Sequence, residues 1–340
     1  MQRINVYRSL YLTDIAELWH YMQNINLVPI VRNTTKMQYF LLIIKNKVLI
    51  PLLLSFYEYI RKTKTLFMQM ERNNNYLLTW IESLQAQGKY TFTYEQACSR
   101  FKDVSIPAIM KALSRLSSKN KIVSVFKGFY IIITPEYSLK GMVPPLLFID
   151  SLMKYVGRPY YIGLLSAAAL HGAAHQRSQE FFVINQLPHL RPTTKKGIKI
   201  NYIGRVTVPE NFLEQRKTEA GYVQVSNPEL TAIDLLQYEK HIGGLNRAAT
   251  VINELADVMK PENFTGDFIS FVPIVMLQRL GYMLDKVVGK EEMADKLYSE
   301  MKKKYTAWQR MPLRTGKSEV GFSSDPKWKI VVNTEIEIDE

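Results

Sequence analysis

The chain has 340 residues and a mass of 39.5 kDa, a length that suits about two domains. Hydrophobic residues make up 47% and charged residues 22%, which excludes a disordered, collagen-like or low-complexity chain; the single cysteine, Cys98, excludes an intrachain disulfide, a Cys-rich zinc site and a redox pair, and points to a cytoplasmic setting. With 44 Lys and Arg against 31 Asp and Glu the formal charge is +13, which suggests an anionic partner, nucleic acid or lipid.

Residues 1–70 are unlike the rest: they hold no Gly, one Ala, nine basic residues and three acids. The apolar runs Tyr39–Ile44 and Val48–Leu54 are split by Lys45 and Lys47 and followed by Glu58, so neither reaches the ~20 residues of a membrane span. No signal-peptide pattern is present. The expectation is an atypical N-terminal extension, with the natural start at Met68 or Met70.

From 71 to 140 the pattern is regular. Tyr76, Leu77, Trp80, Ile81 and Leu84 recur at helical spacing until Gly88. Thr93 caps a short helix over Tyr94–Phe101, and Ser105 with Pro107 opens a third helix with apolar positions at Ile106, Ile109, Met110, Leu113 and Leu116. Ile122–Phe126 and Phe129–Ile133 read as a hairpin turned at Lys127-Gly128. Three short helices and a hairpin predict a winged helix-turn-helix. From Val104 to Pro135 there is no acid, while Lys111, Arg115, Lys119, Lys121 and Lys127 supply five positive charges. Double-stranded DNA is the expected partner, with Ser105, Lys111, Ser114 and Arg115 near base edges and Lys119, Lys121 and Lys127 on phosphates.

Residues 145–340 predict a larger, mostly helical α+β domain beyond the Pro144-Pro145 boundary. Arg158–Gly172 reads as one short helix, followed by strands at Glu180–Ile184, Ile198–Ile203 and Tyr222–Val225. A helix opens at Ser226-Asn227-Pro228-Glu229, through an Asn227 cap or a Ser226/Glu229 capping box. Helices are expected at Asn246–Met259, Phe268–Asp285 and Glu291–Trp308, and a strand at Trp328–Val332. Catalytic and metal patterns are missing: His171 and His175 lack the Glu of a zinc-protease helix, Ser166 lacks a nucleophile elbow, and no phosphate-binding glycine loop occurs. No cofactor and no metal are expected. Asp234, on an apolar helix, is read as a carboxylate paired with an Arg, a Lys or a backbone donor.

The order of motifs resembles the AbiEi family of antitoxins. It is carried by VFKGFY (Val125–Tyr130), YYIGLLSAAALHG (Tyr160–Gly172), VSNPELTAIDLL (Val225–Leu236), RLGYMLD (Arg279–Asp285) and DPKWKIVVN (Asp325–Asn333). The resemblance implies a non-enzymatic antitoxin of a type IV toxin-antitoxin system, of the kind linked to abortive infection and phage defence. Its winged helix would repress its own promoter at inverted repeats, and its C-terminal domain would neutralise a nucleotidyltransferase-like toxin, by contact or only functionally. Tyr161, Ser166, His171, Gly172, Thr231 and Asp234 are the implied C-terminal motif residues, either structural or toxin-neutralising. Two other readings remain open: a stand-alone regulator sensing a ligand beside Tyr160, Tyr161 and His171, and a nuclease using Asp234.

Overall fold

The computed structural model describes residue 62 and residues 76–173 and 180–338. Apart from residue 62, the expectations about residues 1–70 fall outside the described residues, as does His175. Among the described residues no helix is long and apolar enough to cross a membrane.

The first layer is small. Helical residues 76–86 (α1) bury Leu77, Ile81 and Leu84, and strand β1 (Thr91–Thr93), which the sequence reading did not foresee, follows. Thr93 ends that strand and caps α2 (Tyr94–Arg100): its side chain accepts from Gln96 N, and the Gln96 side chain reaches back to its backbone in a full capping box. Helix α3 (Ile106–Ser118) starts after Ser105 and buries Ile109, Leu113 and Leu116. Strands β2 (Ile122–Phe126) and β3 (Phe129–Ile132) turn at Lys127-Gly128, with Gly128 at φ +76. β1 adds antiparallel to β3, giving the order β1-β3-β2.

Alternation along these strands sorts two cores. Ile122 and Ile132 pack with Phe92 and the helices, whereas Val123, Val125, Phe129, Ile131 and Ile133 pack with residues of the larger region, including Phe148, Leu152, Ile162 and Val183. The hairpin is therefore covered on both faces, which is why it reads as a nearly continuous apolar run.

The larger region is built on a six-stranded mixed sheet in the order β6-β7-β5-β4-β9-β8. After α4 (Ile149–Val156), strand β4 (Tyr160–Ile162) runs parallel to β9 (Gly221–Ser226) and antiparallel to β5 (Glu180–Gln186). β7 (Ile198–Arg205) lies parallel to β5, and β6 (Thr193–Lys195) and β8 (Leu213–Thr218) close the two edges. One face of this sheet, through Tyr160, Ile162, Val183 and Val225, meets α4 and the hairpin. The other, through Tyr161, Phe182, Ile184 and Ile203, meets a helical layer.

That layer contains α5 (Leu164–Leu170), α6 (Pro228–Gln237), α7 (Leu245–Leu255), α8 (Gly266–Phe271), α9 (Ile274–Tyr282) and α10 (Glu291–Lys304), with short paired strands β10 (Met311–Pro312) and β11 (Ile330–Val331). The fold is α+β.

Several expectations are corrected. Arg158–Gly172 is not one helix: Tyr160–Ile162 is an inner strand of the sheet, and the chain turns sharply at Gly163-Leu164 before α5. Leu164 sits at φ +52, and a Cβ on Gly163 would stand 2.8 Å from Ile184 Cδ1. Phe268–Asp285 is broken at Val272, which precedes Pro273 and adopts φ −81, ψ 132, and it ends in a π-helical turn, Met283–Val287. The last helix stops at Lys304 rather than Trp308. On α3 the buried stripe leaves Met110 one residue round the helix and Ile106 in the first turn, so neither joins the core.

Candidate functional site

Two groups of residues were singled out from the sequence, and the fold treats them in opposite ways. Ser105 occupies the N-cap of α3 with φ −62, ψ 144, yet its side chain makes no capping bond. Ser105, Lys111, Ser114, Lys119, Lys121 and Lys127 are exposed, and Arg115 is half-buried. Ser105 precedes α3 as its N-cap, Lys111, Ser114 and Arg115 ride on α3 itself, Lys119 and Lys121 follow its C-terminal end, and Lys127 sits in the hairpin turn. At 100° per residue, Lys111, Ser114 and Ser118 fall on the side of α3 opposite Ile109 and Leu116.

The hairpin turn is not a free flap. Tyr155 of α4 donates its hydroxyl to the Lys127 carbonyl at 3.2 Å, and its ring meets Phe126 edge-on at 6.2 Å and Phe129 at 5.5 Å. The Gly128 carbonyl accepts from Tyr94 N at 2.8 Å. Lys127 is thus held by its backbone while its side chain stays in solvent.

The C-terminal motif residues are mostly buried. Tyr161, Thr231 and Asp234 are each 0% exposed. Tyr161 donates its hydroxyl to Asp234 Oδ2 at 2.8 Å, and Arg205, at the end of β7, donates to Asp234 Oδ1 at 2.7 Å and to the Tyr161 oxygen at 2.8 Å. The Arg205 guanidinium also lies 4.7 Å from the Phe271 ring centre. Burial pushes the Asp234 carboxyl up to about 6, a rise that Arg205 and the Tyr161 hydroxyl limit, and burial likewise raises the Tyr161 phenol. Near neutral pH the pair is ionic.

A second chain of bonds runs beside it. Asn227, not Ser226, caps α6 through Leu230 N at 2.9 Å. Ser226 instead shares a hydrogen bond of 2.7 Å with the Thr231 hydroxyl. His171 Nε2 donates to the Ser226 carbonyl at 2.7 Å, which leaves Nδ1 to accept from Arg216 Nη2 at 3.0 Å. Ser166 accepts from Phe182 N at 2.9 Å, tying α5 to β5, and Gly172 ends α5 at φ +85 on the surface. The fold therefore joins Tyr161 to Asp234 and joins His171 to Thr231 through Ser226, while Ser166 and Gly172 stand apart. Arg205 and Arg216 were missed by sequence reasoning, and Ser226 was read only as a candidate helix cap. The available signal for Arg205 was a cation at the end of β7, directly after the run Tyr202-Ile203-Gly204.

The remaining two motifs lock onto each other. Trp328 is fully buried and donates its indole N–H to Asp285 Oδ2 at 2.9 Å. Lys327 and Lys286 bind the same carboxylate at 2.9 and 3.1 Å and, with the indole, hold it at about 2, below the usual range. Gln278 donates to the Trp328 carbonyl at 2.9 Å, and Gly281 leaves the space into which the indole ring packs.

A groove of about 890 Å³ is lined by Trp80, Phe92, Arg100, Ser151, Lys154 and Tyr155 among others, and by none of Tyr160, Tyr161 and His171. Tyr160 is buried with its hydroxyl on Asp150 at 3.1 Å. Among the described residues no cluster of three His, Cys, Asp or Glu could hold a metal.

Residues 161–286, which span the Tyr161–Asp234–Arg205 triad and the Ser226 network, match the family described as the AbiEi antitoxin C-terminal domain. The matched segment includes all six motif residues, and Ile106–Ser118 and Asp325–Asn333 lie outside it. The structure is similar to the crystal structure of the RV2827C protein from Mycobacterium tuberculosis, with a TM-score of 0.55 and 16% identity, covering 74% of this chain and 89% of that one. The likeness is one of fold. A comparison with curated proteins finds no match.

Proposed function

We propose that the chain is the antitoxin of a type IV toxin-antitoxin system, acting in the cytoplasm without catalysis of its own. Residues 71–140 work as a winged helix on promoter DNA, and residues 145–340 neutralise a nucleotidyltransferase-like toxin. The observation that carries the reading is the joining, on one chain, of an AbiEi domain with a helix whose outward face is polar and whose 32-residue surroundings, Val104–Pro135, contain no acid. A DNA duplex is a polyanion, so a basic, acid-free surface gains affinity by releasing its counterions. The order of α1, β1, α2, α3 and the β2–β3 hairpin supports the winged-helix reading. The interior bonding of Tyr161, Thr231 and Asp234 favours a fold-holding role for them over toxin contact.

The test is co-expression of the full chain with the product of the adjacent gene, alongside a reporter driven by the upstream DNA. Rescue of growth together with repression is expected. Arg115→Ala should lose roughly 1–3 kcal/mol of operator affinity if it reads a base and should retain rescue. An adjacent product that is not toxic would overturn the antitoxin reading, and a reporter indifferent to the chain would overturn the repressor.

A further inference from the structure

We infer that Ile106 and Met110 read the 5-methyl groups of thymines in the DNA site, a specificity role that rests on the DNA-binding reading above. Both were read as apolar positions of this helix alongside Ile109, Leu113 and Leu116, and both stand in solvent, 60% and 59% exposed. They are four residues apart, and Ser114 continues the same row. Met110 lies at the border between the buried stripe and the outward face that carries Ser114 and Lys111.

Neither side chain is needed to close the core behind α3, so both are available to a partner. The buried stripe of Ile109, Leu113 and Leu116 already closes the small core with Leu77, Ile81, Phe92 and Ile122. Ile106 is the first residue of α3, and Met110 lies one turn on. The N-terminal residues of such a helix are the ones that reach base edges in the major groove. There the thymine methyl is the one apolar feature a base pair presents, and an aliphatic side chain recognises it by contact. The charge along this helix matches that occupant: Lys111 is exposed next to Met110, and the stretch Val104–Pro135 that holds both apolar residues contains no acid, Asp103 lying just before it. An apolar protein partner would have to bury the neighbouring Lys111 charge without a counter-ion.

The full chain is used to select duplexes from a random 20-base-pair pool, and the winning duplex is resynthesised with each thymine replaced in turn by deoxyuridine, which lacks only the methyl. At one or two positions per half-site, uracil is expected to weaken binding by about fourfold, the value of one buried carbon group. With Ile106→Ala or Met110→Ala, the uracil penalty at the corresponding position should vanish, while affinity for an unselected duplex and the thermal midpoint stay unchanged. Uracil neutral at every position would overturn the inference, and so would a penalty that persists in both variants. A drop in thermal midpoint or a changed oligomeric state in Ile106→Ala would assign the residue to a protein contact instead. If the chain selects no duplex at all, the DNA-binding reading itself fails, an outcome distinct from selective binding without a methyl effect.

Discussion

The outward face of α3 and the helical side of the six-stranded sheet each hold polar residues that stand out in the sequence, and their surroundings separate them. On α3, Lys111 and Ser114 project into water. Behind the sheet, Asp234 is fully enclosed and takes two charge-assisted bonds, from Arg205 and Tyr161. A polar group in an apolar interior is tolerated only with its bonding capacity met, so its neighbours are chosen by the fold. A polar group on a solvated helix is under no such demand, and its chemistry is available to a partner. The hairpin β2–β3 joins the two regimes: one face belongs to the small core, the other to the sheet of the larger region, and Tyr155 holds its turn. Removing residues 70–140 would uncover the apolar surface of the larger region that the hairpin covers, so variants in the full chain separate the two jobs more cleanly than truncation.

The contrast breaks most visibly if the buried side proves dispensable. Asp234→Ala leaves the Arg205 charge enclosed without its partner and should destabilise the protein by about 3–5 kcal/mol in chemical denaturation, whereas Asp234→Leu combined with Arg205→Met should recover most of that. A loss below about 1 kcal/mol would place Asp234 outside the structural group. Gly281→Ala drives a methyl into the Trp328 ring, and overpacking of this kind should destabilise by about 1–3 kcal/mol.

Titration sharpens the same side. Asp285 is held at about 2 in the folded protein against an ordinary 3.8, so its contribution is present above pH ~4 and lost as pH falls toward ~2. Denaturation of wild type and Asp285→Asn across that range should converge by on the order of 1 kcal/mol, allowing for screening. Tyr155→Phe removes the hydroxyl bond to the hairpin turn and should lower stability by about 0.5–1 kcal/mol. The smallest effect belongs to the exposed side: Lys111→Ala and Ser114→Ala should move the unfolding free energy by less than about 0.5 kcal/mol.

Local signals carried much of the fold. Caps at Thr93 and Asn227, the glycine at 128 and the stripe Ile109, Leu113 and Leu116 each fall where the residue types put them. What local patterns lacked was pairing at a distance. Strand β4 is three residues long and runs directly into α5, so its apolar, small-residue sequence carried no period of its own. Ile106 and Met110 fit a helical spacing as well as core residues do, and only the size of the neighbouring core decides that they stay outside. Asp234, on α6, could be read as a partnered carboxylate, but Arg205 lies 29 residues earlier at the end of β7, and nothing local joins the two.

The account turns on the cationic surface around α3, and the salt dependence of DNA binding tests it most directly. Affinity of the full chain for a duplex of the upstream DNA would be measured over a range of salt for wild type and for the Lys119→Ala, Lys121→Ala, Lys127→Ala triple variant. If the three lysines lie on phosphates, the slope of log affinity against log salt becomes shallower by about one unit per lysine. An unchanged slope with unchanged affinity would contradict the assignment and place the DNA, if it binds, on another face.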